Sequence, residues 1–427
     1  MMNSHSICRH FGTCGGCQYQ DMPYEDQLAR KSTWLKDLFK EFWQEEVTVI
    51  PSPVLLHYRN KVDPGFALKR YDEPPPKDFP RETLLGFKQR KGWRWPMDIE
   101  ECLIGPEGID ELLESVREWR AVTGLAAYDS RRGSGYLRNL LVRDGKRTGE
   151  RMVVLITAPG PLPEKDAFVA SVLKAYHADS VFHGEFSGMA EVATAERLTL
   201  LHGRASIGET LHLSRCGGAE DRTDPVVDPC QHLERDGRIV DVFRFRISPL
   251  SFFQTNPLAA ERLYGVVRSW ARRIRPGTLY DLYGGAGGIA FSCAGFSGDV
   301  VSVENVAAAS EDGRFNAVEN QIENVSFVTD TVRGYTKKLS EAGGIADDGA
   351  VVVDPPRSGM HPKSVARLLE MRPRNLLYVS CNPARLQEEL RAFAQEYQVD
   401  ELQGVDMFPH TPHVEVVASM TPRHVVC

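Results

Sequence analysis

The 427-residue chain has no long apolar run, no surplus of positive charge and no internal repeat. Each absence excludes something. No stretch approaches the ~20 apolar residues of a membrane span. The opening MMNSHSICRH lacks the apolar core of a signal peptide, so a cytoplasmic protein without a membrane partner is expected. Lys plus Arg number 51 and Asp plus Glu 58, a net charge of −7, which excludes a general basic coat for nucleic acid but not a local patch. An odd count of nine cysteines is not a disulfide framework. What is present is an ordinary globular balance, 42% hydrophobic and 26% charged, in a chain too long for one ordinary domain.

Three cysteines crowd together near the start. Cys8, Cys14 and Cys17 stand as C-x5-C-x2-C, with Gly12, Gly15 and Gly16 between them to turn a tight loop. Clustered thiolates in a reducing compartment select zinc or an iron–sulfur cluster. A closed site needs a fourth ligand, for which Cys102 in DIEECLIGPEG is the best candidate. Spacing leaves zinc and a cluster both open. The C-x3-C-x2-C pattern of radical enzymes is missing, which argues against reductive cleavage of S-adenosylmethionine.

A helix is expected over 22–43, with Leu28, Leu35, Leu38 and Phe39 at helical spacing. From about 50 to 244 short β-type runs (GFALK, LLGFK, RMVVLIT, SVFHGEF, RLTLLHG) alternate with Pro and Gly clusters, an α+β pattern with mostly antiparallel strands. Basic residues concentrate there: Arg59, Lys61, Lys69, Arg70, Lys88, Arg90, Lys91 and Arg94. Between 131 and 151 seven more face two acids, a local excess of five. Tyr58, Trp93, Trp95 and Tyr136 lie among them. A charge run alone is more often a solvated strand face, whereas cations interleaved with flat rings suit folded or single-stranded RNA.

Beyond about 245 strand and helix patterns alternate. TLYDLY, DVVSVE, VSFV, AVVVD, NLLYVS and VEVVASM read as strands of a doubly wound α/β sheet, with the ligand at their carboxyl ends. The first runs into the glycine turn Gly284-Gly285-Ala286-Gly287-Gly288. Glu304 closes the second, twenty residues past Gly284, where an acid binds ribose hydroxyls. A nucleoside cofactor follows, with NAD and S-adenosylmethionine both open. Further strand ends carry Asp354-Pro355-Pro356-Arg357, Cys381-Asn382, and Glu415 beside His410 and His413. A thiol, two acids and an arginine at one sheet edge would make a reactive centre, with Cys381 as its nucleophile.

These segments together resemble the RNA uracil-5-methyltransferase family, the S-adenosylmethionine enzymes that make 5-methyluridine in ribosomal and transfer RNA. CRHFGTCGGCQYQ, YRNK, FRISPLSFFQTN, DLYGGAGG, VSVENV, DPPRSGM, LLYVSCNPA and DMFPHTPHVE run in order from Cys8 to Glu415. The cysteines resemble the branch that carries a [4Fe-4S] cluster and acts on ribosomal RNA.

The resemblance implies three parts: an iron–sulfur segment (1–48, fourth ligand Cys102), an α+β RNA-binding middle domain (49–244) and a Rossmann-like methyltransferase domain (245–427). It implies Cys8, Cys14, Cys17 and Cys102 as cluster ligands, Cys381 as the nucleophile that adds to carbon 6 of uracil, and Glu415 as the base. Gln254, Tyr283, Gly285, Gly287, Glu304, Asp330 and Asp354 fall on positions for cofactor or target base, with Asp330 preferred over Thr331 for the adenine. Phe252 would pack on the extruded uracil and Arg357 would stabilise developing negative charge. The expected activity is methylation of a uridine in 23S ribosomal RNA by a monomer. The alternatives are the same chemistry on transfer RNA and an idle RNA-binding protein that kept the fold. Many relatives have Cys-Gly where this chain has Gly284-Gly285, and some have Asn in place of Gly288.

Overall fold

The computed structural model describes residues 7–73, 75, 76, 79, 81–90, 96–214 and 240–423. Lys91, Trp93, Arg94 and Trp95, named above, lie outside them, as do Cys216, Cys230 and Cys427. The chain divides into two compact units. The first comprises 1–22, 55–209 and 247–250, the second 23–54, 210–246 and 251–427. They are not three consecutive segments: helix α1 (Tyr24–Phe39), placed by the reading above in the cysteine segment, belongs to the second unit, as does β1 (Val49–Ile50).

In the first unit β2 (Lys61–Val62), β3 (Gly65–Leu68), β4 (Thr83–Lys88), β5 (Pro96–Asp98), β6 (Leu137–Asp144), β7 (Arg151–Thr157), β8 (Ser180–Glu185) and β9 (Arg197–Gly203) form one sheet. Its order is β5-β4-β3-β6-β7-β8-β9, with β2 also on β6. All pairs are antiparallel except β7–β8, which the helix α3 (Lys165–Tyr176) connects as a crossover. Helix α2 (Ile109–Thr123) places Leu112, Leu113, Val116 and Trp119 in a core with Phe168, Val172 and Tyr176 of α3. The Trp119 and Phe168 rings lie 5.0 Å apart. β10 (Ile207–Ser214) and β11 (Val240–Ile247) form a two-stranded ribbon.

The second unit is built on β12 (Thr278–Leu282), β13 (Asp299–Glu304), β14 (Val325–Thr329), β15 (Ala350–Val353), β16 (Asn375–Ser380), β17 (Tyr397–Val405) and β18 (Glu415–Pro422). The order is β1-β17-β18-β16-β15-β12-β13-β14. β12 to β16 run parallel, β18 runs against β16 and β17, and β1 pairs parallel with β17. The near-continuous Val and Leu of β15 and β16 are fully buried, as strands covered on both faces require. Strand order reverses beside β12, which places a crevice at the carboxyl ends of β12 and β15.

Candidate active site

Register explains why residues far apart in sequence share this edge. Leu282 pairs with both Val303 and Val353, Val353 with Tyr378, and Ser380 with Val416. Tyr283, Glu304, Asp354, Cys381 and Glu415 therefore all lie at one end of the sheet. Asn256 caps the helix Pro257–Ile274 by accepting from the Ala259 amide at 3.1 Å, which fixes the segment carrying Phe252 and Gln254.

The turn after β12 is shaped by what surrounds it. Tyr283 adopts φ +74, rare for a side chain with a β-carbon, and the amides of Tyr283 and Gly284 both donate to Val303 O at 3.0 Å. Gly287 has φ +95 and packs under Phe291 and Phe327. A β-carbon on Gly288 would stand 2.5 Å from the Tyr264 hydroxyl, so Asn does not fit there in this chain. Glu304 accepts from the Gly285 amide at 3.1 Å and from the Val306 amide at 2.7 Å. Phe252 is 62% exposed and lies over Gly285.

Around the turn sits a group of acids, Asp281 and Glu415 buried and Asp354 half-buried. Asp281, within β12, was not singled out by the sequence reading, although an acid in an apolar strand just before the turn was a visible signal. Ser302 donates to its Oδ2 at 3.2 Å, while Oδ1 has no partner among the described residues. Burial pushes Asp281 up to about 7, with Glu304 adding to it. Asp354 is pushed up to about 7 by burial and then by Asp281. Glu415 is 3% exposed, and its Oε2 has no hydrogen-bond partner among the described residues. Burial, then Asp354, hold it well above the usual carboxylate range, and Arg357 opposes them. Burial, then Glu415 and Asp354, push the Cys381 thiol up to about 12, again opposed by Arg357. The buried Tyr264 phenol is raised by burial and by Asp354, Asp281 and Glu415, while Gln254 hydrogen-bonds to it. Burial and Glu389 push Tyr283 up to about 12.

The exposed Arg357 is anchored through its backbone, whose carbonyl accepts from Asn382 Nδ2 at 2.9 Å. Asp330 follows β14. Its carboxylate holds Lys338 at 2.7 Å and the Thr331 amide at 2.7 Å, and Lys338 keeps it below the usual range. Thr331 caps its helix through the Gly334 amide at 3.0 Å. Both candidates for the adenine contact thus carry local hydrogen bonds.

In the first unit Cys8, Cys14, Cys17 and Cys102 all line one cavity of about 420 Å³, together with Arg59. All four are free thiols. Burial, then Cys102, push Cys17 up to about 12, and burial pushes Cys102 up to about 11. Four thiols lining one cavity are the donor type that an iron–sulfur cluster takes, but among the described residues no three His, Cys, Asp or Glu are placed to hold a metal ion.

A second cavity of the first unit, about 1430 Å³, is lined by Lys61, Arg70, Arg81, Lys88, Arg131 and Arg132, with Tyr71, Phe79 and Tyr128. The basic run 131–151 is only partly a surface. Arg143 is buried, and Arg138 is buried between the Tyr128 and Phe186 rings, 4.3 and 4.8 Å from their centres. Arg151 donates to Tyr176 O at 2.9 Å. Among the described residues no helix is long and apolar enough to cross a membrane.

Known proteins resemble the chain over nearly its whole length. The family described as tRNA (uracil-5-)-methyltransferase matches residues 231–421. An uncharacterized RNA methyltransferase of Clostridium tetani is 30% identical over 421 residues, covering 97% of this chain and 83% of the relative. Another, from Porphyromonas gingivalis, is 32% identical over 428 residues, covering 96% and 85%. The solved tRNA (uracil-54, C5)-methyltransferase of Pyrococcus abyssi, in complex with S-adenosyl-L-homocysteine, superposes with a TM-score of 0.68 at 28% identity, covering 95% of this chain and 86% of that one.

Proposed function

The chain belongs to the tRNA (uracil-5-)-methyltransferase family and is an S-adenosylmethionine-dependent RNA methyltransferase, and we propose that it methylates carbon 5 of a uridine in 23S ribosomal RNA. The observation that carries the mechanism is the meeting of Cys381 with Asp354 and the buried Glu415, the latter with an oxygen unpartnered among the described residues.

Carbon 5 of uracil is a poor nucleophile. Cys381 loses its thiol proton to solvent, and addition of the resulting thiolate to carbon 6 moves the ring's electron pair onto carbon 5 and the carbonyl oxygen. S-adenosylmethionine, when bound, supplies the electrophilic methyl and departs as S-adenosylhomocysteine. Carbon 5 then carries both methyl and proton. Glu415, as carboxylate, takes that proton, the ring double bond re-forms, and the sulfur–carbon bond breaks to release Cys381. Arg357 offsets negative charge beside the thiol, while Gln254 and Asp354 hold the polar edge of the base. Phe252 offers an exposed face to a base turned out of its stack. Gly285, Gly287, Glu304, Tyr283 and Asp330 form the cofactor side. Cys8, Cys14, Cys17 and Cys102 would hold a [4Fe-4S] cluster that supplies a structural cross-link, and the basic, aromatic cavity of the first unit grips the RNA.

The ribosomal target rests on resemblance of the cysteine segment to the cluster-bearing branch. Transfer RNA is the second reading, because the Pyrococcus abyssi neighbour is a transfer RNA enzyme. Mapping 5-methyluridine in total RNA with and without this protein decides between them. For the chemistry, Glu415→Gln is expected to trap methylated RNA as a covalent complex, and Cys381→Ala to give neither adduct nor product. Turnover by Cys381→Ala refutes the mechanism. Iron and sulfide assays on purified protein test the cluster; zinc alone would refute it.

A further inference from the structure

Glu415 sits at the mouth of a hairpin. It pairs with Val405, and residues 406–414 form the loop between them, so a shift of this loop displaces Glu415 directly. That loop is held by one face of α1. Gln27, Lys31, Leu35 and Phe39, spaced by four, are the buried residues of the helix. Leu35 and Phe39 pack in the apolar core, while the other two carry polar groups inward.

Lys31 Nζ pairs with Asp406 Oδ1 at 2.8 Å, side chains 2% and 0% exposed, and donates to Phe408 O at 3.2 Å. Tyr24 OH donates to Asp406 Oδ2 at 3.0 Å. Gln27 grips the far side: its Oε1 accepts the His410 amide at 2.8 Å and its Nε2 lies 3.2 Å from His410 Nδ1. His410 has φ +66, a conformation that a non-glycine residue keeps only where its surroundings impose it. Both ends of the loop's first half are thus tied to a helix more than 370 residues earlier.

We propose that α1 is a clamp whose Lys31 and Gln27 are positioning residues for Glu415, acting on removal of the carbon 5 proton rather than on adduct formation. The geometry favours this division of labour. Cys381 stands after β16 and Asp354 after β15, neither of them on the clamped hairpin. A buried ion pair is a poor source of stability compared with apolar packing, but it fixes orientation, which a proton transfer needs. The proposal rests on the reading of Glu415 as the base.

The test is single-turnover reaction of the full chain with labelled S-adenosylmethionine and total RNA from cells lacking the protein. Covalent protein–RNA complex and released methylated RNA are followed separately on denaturing gels. Gln27→Ala and Lys31→Met are expected to form adduct within two-fold of the wild-type rate and to release it at least ten-fold more slowly, so that complex accumulates. A merely structural role would slow both steps together. Should Lys31→Met fail to fold, Gln27→Ala, which leaves the ion pair intact, carries the test alone. Glu415→Gln runs in parallel. If it traps adduct while the clamp variants release at the wild-type rate, or lose adduct formation and release equally, the clamp is refuted and the base assignment stands. If Glu415→Gln itself turns over normally, the base assignment fails and the clamp proposal falls with it.

Discussion

Alkylation of Cys381 should be slow at neutral pH and should accelerate when Glu415 loses its charge. An ordinary thiol at 9.0 is roughly one-tenth ionised at pH 8, whereas one pushed up to about 12 is ionised in about one molecule in ten thousand. Burial is the first cause and Glu415 the next. A like charge near a thiol shifts its pKa by roughly one to three units, and Glu415 acts on Cys381 in that upward sense. Glu415→Gln removes that charge over the alkaline range in which the wild-type carboxyl is ionised, so the thiol's pKa falls. Iodoacetamide labelling of Cys381, read by mass spectrometry of the tryptic peptide from pH 7 to 11, should rise without a plateau in the wild type. In Glu415→Gln the curve should shift to lower pH by at least one unit, with labelling at pH 9 about ten-fold faster. A wild-type plateau near pH 9, unchanged in Glu415→Gln, would refute the idea that the thiol rests protonated among carboxyls.

Asp281, raised to about 7 from 3.8, contributes stability that is complete below pH 3.8 and lost as pH rises through about 7. Asp281→Asn should therefore raise the thermal midpoint at pH 8, by up to about 4 kcal/mol of stability, and leave it nearly unchanged at pH 4; calorimetry at both values checks this. Gly288→Ala should weaken S-adenosylhomocysteine binding by ten-fold or more in titration calorimetry, and Tyr264→Ala in the same chain should recover part of the loss by removing the colliding ring. Reversing charge with Arg131→Glu and Arg132→Glu should weaken RNA binding and flatten its salt dependence without altering cofactor affinity.

The methyltransferase sheet was legible because its strands are apolar runs ending in chemically distinctive residues: TLYDLY before the glycines, AVVVD before Pro-Pro, NLLYVS before Cys381. β17 escaped notice because YQVDELQGV alternates with polar residues, and its place comes from pairing with β18 and β1 rather than from its own pattern. The expected helix near the start is there, with Leu35 and Phe39 inward as their spacing demanded. Its other buried positions, Gln27 and Lys31, carry no local sign of facing inward, because a polar or charged side chain is buried only when a partner distant in sequence satisfies it. Arg138 and Arg143 failed in the opposite way: they counted toward a basic surface, and the fold puts them inside. The four cysteines were legible as a group; the buried guanidinium of Arg59 facing them was not, since nothing local sets it apart from the other cations of YRNK.

The interleaving of the two units along the chain has a consequence for synthesis. Residues 55–209, the bulk of the first unit, are contiguous and emerge before most of the second unit exists. Lys31 has no counter-ion until Asp406 is made, 375 residues later, and Val49 waits for Gly404 before β1 has a neighbour. The half of the protein that carries the cysteine cavity and the basic cleft draws nearly all its partners from residues made before 210, so it can close early. The half that carries Cys381 and Glu415 is completed only by its last strands, joining ends that the ribosome separates most widely.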